Sequence, residues 1–61
     1  GGQRPAGAIG EAVTAAARLV HVGGYLYVEA PGALASVPPG FEIWRADRAG
    51  AAHVHLLRRN S

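Results

Sequence analysis

The stretch Gly23-Gly24-Tyr25-Leu26-Tyr27-Val28-Glu29-Ala30-Pro31 decides how the chain is read. Residues 25–30 predict a strand, with Leu26, Val28 and Ala30 on one side and Tyr25, Tyr27 and Glu29 on the other. Both tyrosines of the chain fall on that second side, so neither side is plainly polar. That pattern suits a central strand in a sheet covered on both faces. A Gly-Gly break leads into the strand, and Pro31, which has no backbone N–H, closes it.

Working back toward the N-terminus, residues 8–21 predict a helix. Ile9, Ala12, Val13, Ala16, Leu19 and Val20 recur at three- and four-residue steps and share one face; Glu11, Thr14 and Arg18 fall opposite. Glu11 is expected in the first turn and Arg18 and His21 in the last turns, each on the side the helix dipole favours. Gly23 or Gly24 supplies the left-handed residue that ends such a helix. A face built of alanines and short branched residues suits close packing on a flat sheet. Residues 1–7, rich in glycine and with Pro5, read as a flexible loop. Helix, tight glycine turn and buried strand form the second half of a β-α-β unit.

Toward the C-terminus, residues 31–40 read as a connection with room for one short helical turn over residues 32–36. Pro38-Pro39-Gly40 excludes helix and ladder pairing there. Residues 41–48 and 51–59 predict an antiparallel β-hairpin about Ala49-Gly50, with Gly50 giving the positive φ of a short hairpin loop. Phe41, Ile43 and Arg45 alternate with Glu42, Trp44 and Ala46. On the return strand Val54 and Leu56 alternate with His53, His55 and Leu57.

Sixty-one residues make one small domain at most. A chain this short buries only about 60% of its unfolded surface, so disulfides, a metal or a partner surface usually help to stabilise it. Cysteine is absent, which excludes disulfides and thiolate metal sites. At 49% hydrophobic and 16% charged, the chain is too apolar for a disordered tail and asks for a larger core than it closes easily alone. Burial against another protein surface is the remaining support. The net charge is +2 with a pI near 10.0, and every basic residue is arginine. That is compatible with a nucleic-acid partner, although solvated surface arginines account for it more simply. No apolar run reaches the roughly 18 residues that span a bilayer, and no basic segment followed by an apolar one marks a secretory signal. No membrane partner is expected.

Few residues group in a way that carries chemistry. His53 and His55, at i and i+2, share one strand face and could approach one ion with His21, but a metal site needs about three or four ligands; no metal ligands are assigned. Gly23-Gly24 follow a helix and precede a strand, the reverse of a phosphate loop. Thr14, Ser36 and Ser61 have no base and orienting acid near them in sequence. Val37-Pro38-Pro39-Gly40-Phe41 superficially matches the loop in which amino-methyltransferases place an Asn or Asp before Pro-Pro and an aromatic ring. Val37 occupies the polar position and Gly40 separates the prolines from Phe41, so the segment reads as a turn. Glu29 lies at the carboxyl end of the strand, where ligands of open α/β sheets bind, and is the one substrate-side candidate. Arg45, Arg48, Arg58 and Arg59, with Trp44 and Tyr27 nearby in sequence, are candidates for RNA contact. The plainer role for them is as charges that discourage edge-to-edge pairing of the hairpin.

Taken together, Gly-Gly-Tyr-Leu-Tyr-Val-Glu-Ala-Pro, Leu34, Pro38-Pro39 before Phe41-Glu42-Ile43-Trp44-Arg45, Arg48-Ala49-Gly50-Ala51 and Val54-His55-Leu56-Leu57-Arg58-Arg59 resemble the C-terminal end of the RsmD-type methyltransferases. The resemblance runs from about Ile9 to Arg59. Those enzymes transfer a methyl group from S-adenosylmethionine to a guanine exocyclic amine of small-subunit ribosomal RNA. It implies an α/β fold, a fragment of a Rossmann-like methyltransferase sheet, with residues 25–30, 41–48 and 51–59 as its fifth, sixth and seventh strands. The seventh would lie antiparallel between the fifth and sixth.

The family's cofactor glycine loop, ribose-binding acid and catalytic Asn/Asp-Pro-Pro-aromatic loop find no counterpart in these residues and would lie upstream of Gly1. No catalytic or cofactor-binding residue is therefore carried over. The chain is expected to be an inactive C-terminal fragment of a cytoplasmic parent enzyme that uses S-adenosylmethionine. Its partners would be the missing N-terminal part of the domain, ribosomal RNA for the parent, and other copies of itself. The alternative is a small basic RNA-binding or structural interaction module.

Overall fold

The computed structural model describes residues 6–61. Helix α1 (Ala6–Ala17) is followed by strands β1 (Tyr25–Ala30), β2 (Phe41–Ala49) and β3 (Ala52–Arg59). The strands form one antiparallel sheet in the order β1-β3-β2. The expected helix, strand and hairpin are all present, in a small α/β arrangement. The return strand of the hairpin lies beside β1.

The central position in this sheet falls where the resemblance implies, although the alternation of residues 25–30 taken by itself suggests β1 for it. β3 is central and β1 lies at an edge. β3 is bonded on both sides, with Leu57 opposite Leu26 of β1 and Ile43 of β2. Leu57 is fully buried, and Val13 and Val28 complete the small core. Leu26, Leu34, Val37 and Phe41 pack against that core while remaining half-buried. Among the described residues, helix α1 lies over β1, with Val13 in the same buried cluster as Leu57 of β3, and covers one sheet face in part. Tyr27, at 63% exposed, stands on the open face. The apolarity that marked residues 25–30 as central therefore comes from tyrosines turned outward, which the alternation pattern by itself does not distinguish from buried ones.

The helix also begins and ends earlier than its periodicity suggests. Ala6 and Gly7 are helical, and residues 1–5 of the expected loop lie outside the described residues. Glu11 consequently falls beyond the first turn, and Arg18 and His21 lie past the last. After Ala17 the chain tightens, with Leu19 N–H donating to Ala16 O (3.0 Å) and Val20 N–H to Ala17 O (3.2 Å). A β-turn follows in which Gly24 N–H donates to His21 O (2.9 Å), with Gly23 at φ +87°. That positive φ at the third position is the type II pattern, which favours glycine. Because the helix stops short, Leu19 leaves the apolar face and is 88% exposed; Val13 and Ala17, at i and i+4, are the buried pair. Ala12 is exposed, and the side chain of Ile9 lies outside the described residues.

The connection over residues 31–40 forms bends and no helical turn. Pro38 O accepts from Phe41 N–H (3.1 Å), with Gly40 at φ +82°. Pro39 thus holds the second position of another type II turn, where its fixed φ is already correct. The hairpin closes through Gly50 and Ala51, since Ala49 pairs with Ala52. Gly50 has φ +62°, matching the type II′ requirement for glycine at the first loop position.

Leu57→Ala should cost about 2–5 kcal/mol, because it empties the centre of a very small core. That is a large share of a total near the low end of the usual ~5–15 kcal/mol, so the cooperative melt followed by circular dichroism should be lost near room temperature. Leu19→Ala should leave the melt within about 0.5 kcal/mol of the parent. Equal losses in the two variants would contradict this placement of the core.

Candidate functional site

Strand register determines which side chains meet, since residues directly opposite on paired strands share a face. On the covered face lie the rows Leu26–Leu57–Ile43, Val28–His55–Ala46 and Ala30–His53–Arg48. On the open face lie Tyr25–Arg58–Glu42, Tyr27–Leu56–Arg45 and Glu29–Val54–Asp47. The register shifts between Ile43 and Arg45, so Trp44 and Arg45 together oppose Leu56. This β-bulge moves Arg45 away from the side of Phe41 and Ile43, where simple alternation puts it, onto the side of Trp44. Sequence alternation could not show this, because one inserted residue reverses every facing beyond it.

The open face holds an aromatic cluster. Tyr25 meets Trp44 edge-on, with ring centroids 6.5 Å apart and planes at 70°. The Arg58 guanidinium lies 5.0 Å from the Trp44 ring centroid, a cation–π arrangement. Its Nε is buried and has no hydrogen-bond partner among the described residues. Tyr25 and Trp44 are each about half-exposed. Around them stand Arg45 and Arg58 together with Glu29, Glu42 and Asp47, so this face carries more acid than base.

The four candidate arginines therefore do not make one basic surface. Arg45 and Arg58 share the open face, while Arg48 and Arg59 sit on the other face at opposite ends of the hairpin. Arg59 has a structural position. Its Nη1 donates to Val20 O (2.6 Å), its Nε donates to Ser61 O (2.9 Å), and its guanidinium lies 5.9 Å from the Phe41 ring centroid. It ties the segment after α1 to the end of β3. Glu29 is exposed beside the unpaired edge of β1. Sequence reasoning named Arg59 as a surface contact because nothing in its spacing reports a partner 39 residues away.

His53 and His55 share the covered face as the i, i+2 spacing predicts, their rings nearly parallel (14°) with centroids 6.5 Å apart. His55 is buried, and its Nδ1 lies 3.3 Å from Val28 O. A carbonyl only accepts, so this nitrogen carries the proton. His21 Nδ1 faces Val22 O at 2.9 Å in the turn after α1. No group of three or more His, Cys, Asp or Glu residues gathers among the described residues.

Open cavities flank α1 among the described residues. One of about 610 Å³ separates α1 from the connection before β2, lined by Val13, Thr14, Arg18, Leu34, Val37 and Pro38. Another, about 290 Å³, lies between Ala12, Val13 and Ala16 of α1 and residues 26–29 of β1. Gly23 N–H, the donor at the glycine break, is held by Arg59 O at 2.8 Å. No described helix is long and apolar enough to cross a membrane. No protein-family model, curated protein or solved structure matches this chain.

Arg59→Gln should lower stability by about 1–3 kcal/mol, because it weakens charged hydrogen bonds and a part-buried contact. Arg45→Gln should leave the urea midpoint unchanged. If the two variants unfold alike, Arg59 is not the tie described here.

Proposed function

We propose that this chain is the C-terminal structural part of an RsmD-type methyltransferase domain. The whole domain would transfer a methyl group from S-adenosylmethionine to a guanine exocyclic amine of small-subunit ribosomal RNA. The observation that supports this most directly is the strand order. The hairpin returns β3 between β1 and β2, which is the order the sequence resemblance implies for the last three strands of that fold. A simple meander would have placed β2 beside β1.

Two features agree with this reading. Among the described residues the sheet is covered on one face, while the open face presents aromatics with a rim of both charge signs. Aromatic residues with arginine inside a polar rim are typical of protein interfaces, and here they would meet the rest of the domain. The outer edge of β1, beside the cavity under α1, would take the preceding strand. Cofactor and catalytic groups then belong to that remaining part, and a cytoplasmic setting follows from the ribosomal substrate. A free-standing RNA-binding module is less well supported, because the register divides the arginines between two faces.

The 61-residue chain should show no saturable heat with S-adenosylmethionine in calorimetry. Grafted in place of the corresponding C-terminal segment of an RsmD-type enzyme, it should give a soluble chimera that methylates small-subunit ribosomal RNA. Micromolar cofactor binding by the chain alone, or a soluble chimera without activity, would count against the proposal.

A further inference from the structure

The edge of β1 offers a specific docking geometry. Arg59 N–H donates to Gly24 O (2.9 Å). This bond sets the phase of the β1–β3 ladder, since bonded positions alternate along a strand. Leu26, Val28 and Ala30 turn their backbone groups toward β3. Tyr25, Tyr27 and Glu29 turn theirs outward, where no described strand receives them. The cavity lined by Ala12, Ala16 and residues 26–29 lies against this edge, since it touches residues from both sides of β1.

The opposite edge of the sheet is protected. β2 carries the bulge at Trp44 and the charged residues Glu42, Arg45, Asp47 and Arg48, devices that discourage strand addition. β1 has one charge, Glu29, and neither a bulge within it nor a proline.

We propose that two copies of this chain pair antiparallel through β1, with Tyr27 on the two-fold axis. The outward residues are self-complementary about that centre: Tyr27 faces its own copy, and Tyr25 faces Glu29 of the second copy. Each such pair exchanges two N–H···O=C bonds. Tyr25 and Glu29 share the open face, so the pairing sets a phenol donor opposite a carboxylate and keeps the two carboxylates apart. The ladder also ends itself, since the next outward position is Pro31, without an N–H, opposite Gly23, whose N–H is already bonded to Arg59 O. The axis runs perpendicular to the sheet, so both helices lie on one side and the two aromatic clusters on the other. This follows from the free edge alone and does not depend on the methyltransferase reading. In a complete domain the same edge would be occupied by a neighbouring strand.

Sedimentation velocity over a concentration series should show a reversible monomer–dimer equilibrium. Tyr27→Pro removes the N–H on the axis and should weaken the dimer at least about tenfold, whereas Tyr27→Ala, which keeps it, should still dimerise. Since Tyr27→Pro could also unfold the chain, two further measurements avoid it. In wild-type protein the amides of Tyr25, Tyr27 and Glu29 should gain hydrogen-exchange protection as concentration rises. In the cysteine-free chain, Tyr27→Cys should oxidise to a linked dimer, because Cα atoms of a bonded pair lie about 5.5 Å apart, within disulfide reach; Ile43→Cys should not. A monomer at every concentration, a dimer in which those amides stay unprotected, or equal linking by Ile43→Cys would overturn the proposal. Loss of the dimer in Tyr27→Ala would do the same, by pointing to stacking of the open faces.

Discussion

Leu57 sits where every layer of this small molecule converges. It lies on the one strand bonded on both sides, between Leu26 and Ile43, with Val13 and Val28 in the same buried cluster. The chain has few other ways to exclude water from an apolar group. Helix α1 covers part of one face, and Leu34 and Val37 of the connection extend that cover toward Phe41. Placing β3 at the centre follows from the same constraint. Its residues are the ones whose two neighbours are both available within the chain.

Arg59 performs the complementary task at the open end of the sheet. Its backbone pairs with the Gly23-Gly24 turn, and its side chain reaches Val20 O and Ser61 O. The descent from helix to first strand is thereby fastened to the end of the last strand. Two type II turns, with Gly23 and Gly40 at positive φ, bring the chain to the two sides of this residue. The candidate basic surface dissolves for the same reason: one of its four members is needed to close the fold, and register sends another to the same face.

What remains open is consistent in kind. One sheet face shows Tyr25, Tyr27 and Trp44 within a mixed-charge rim, and one edge shows unbonded backbone beside a cavity. Both are features that proteins usually cover with more protein. The edge and the face are distinct surfaces, so joining two copies along β1 leaves the aromatic face free for a different contact.

The primary structure by itself determined the elements: an alanine-rich helical period, a six-residue alternating strand closed by Pro31, a Pro-Pro-Gly turn, and a hairpin whose reversal needs Gly50. These are local preferences of backbone and spacing, so they are legible without partners. The limits of α1 were less so, because Leu19 keeps the period after the backbone has already tightened into a turn. Only tertiary structure decided that the bulge at Trp44 carries Arg45 to the other face and that Arg59 is bonded to Val20. Each depends on pairing between segments far apart in the chain, and side-chain alternation is unchanged by which neighbour a strand acquires.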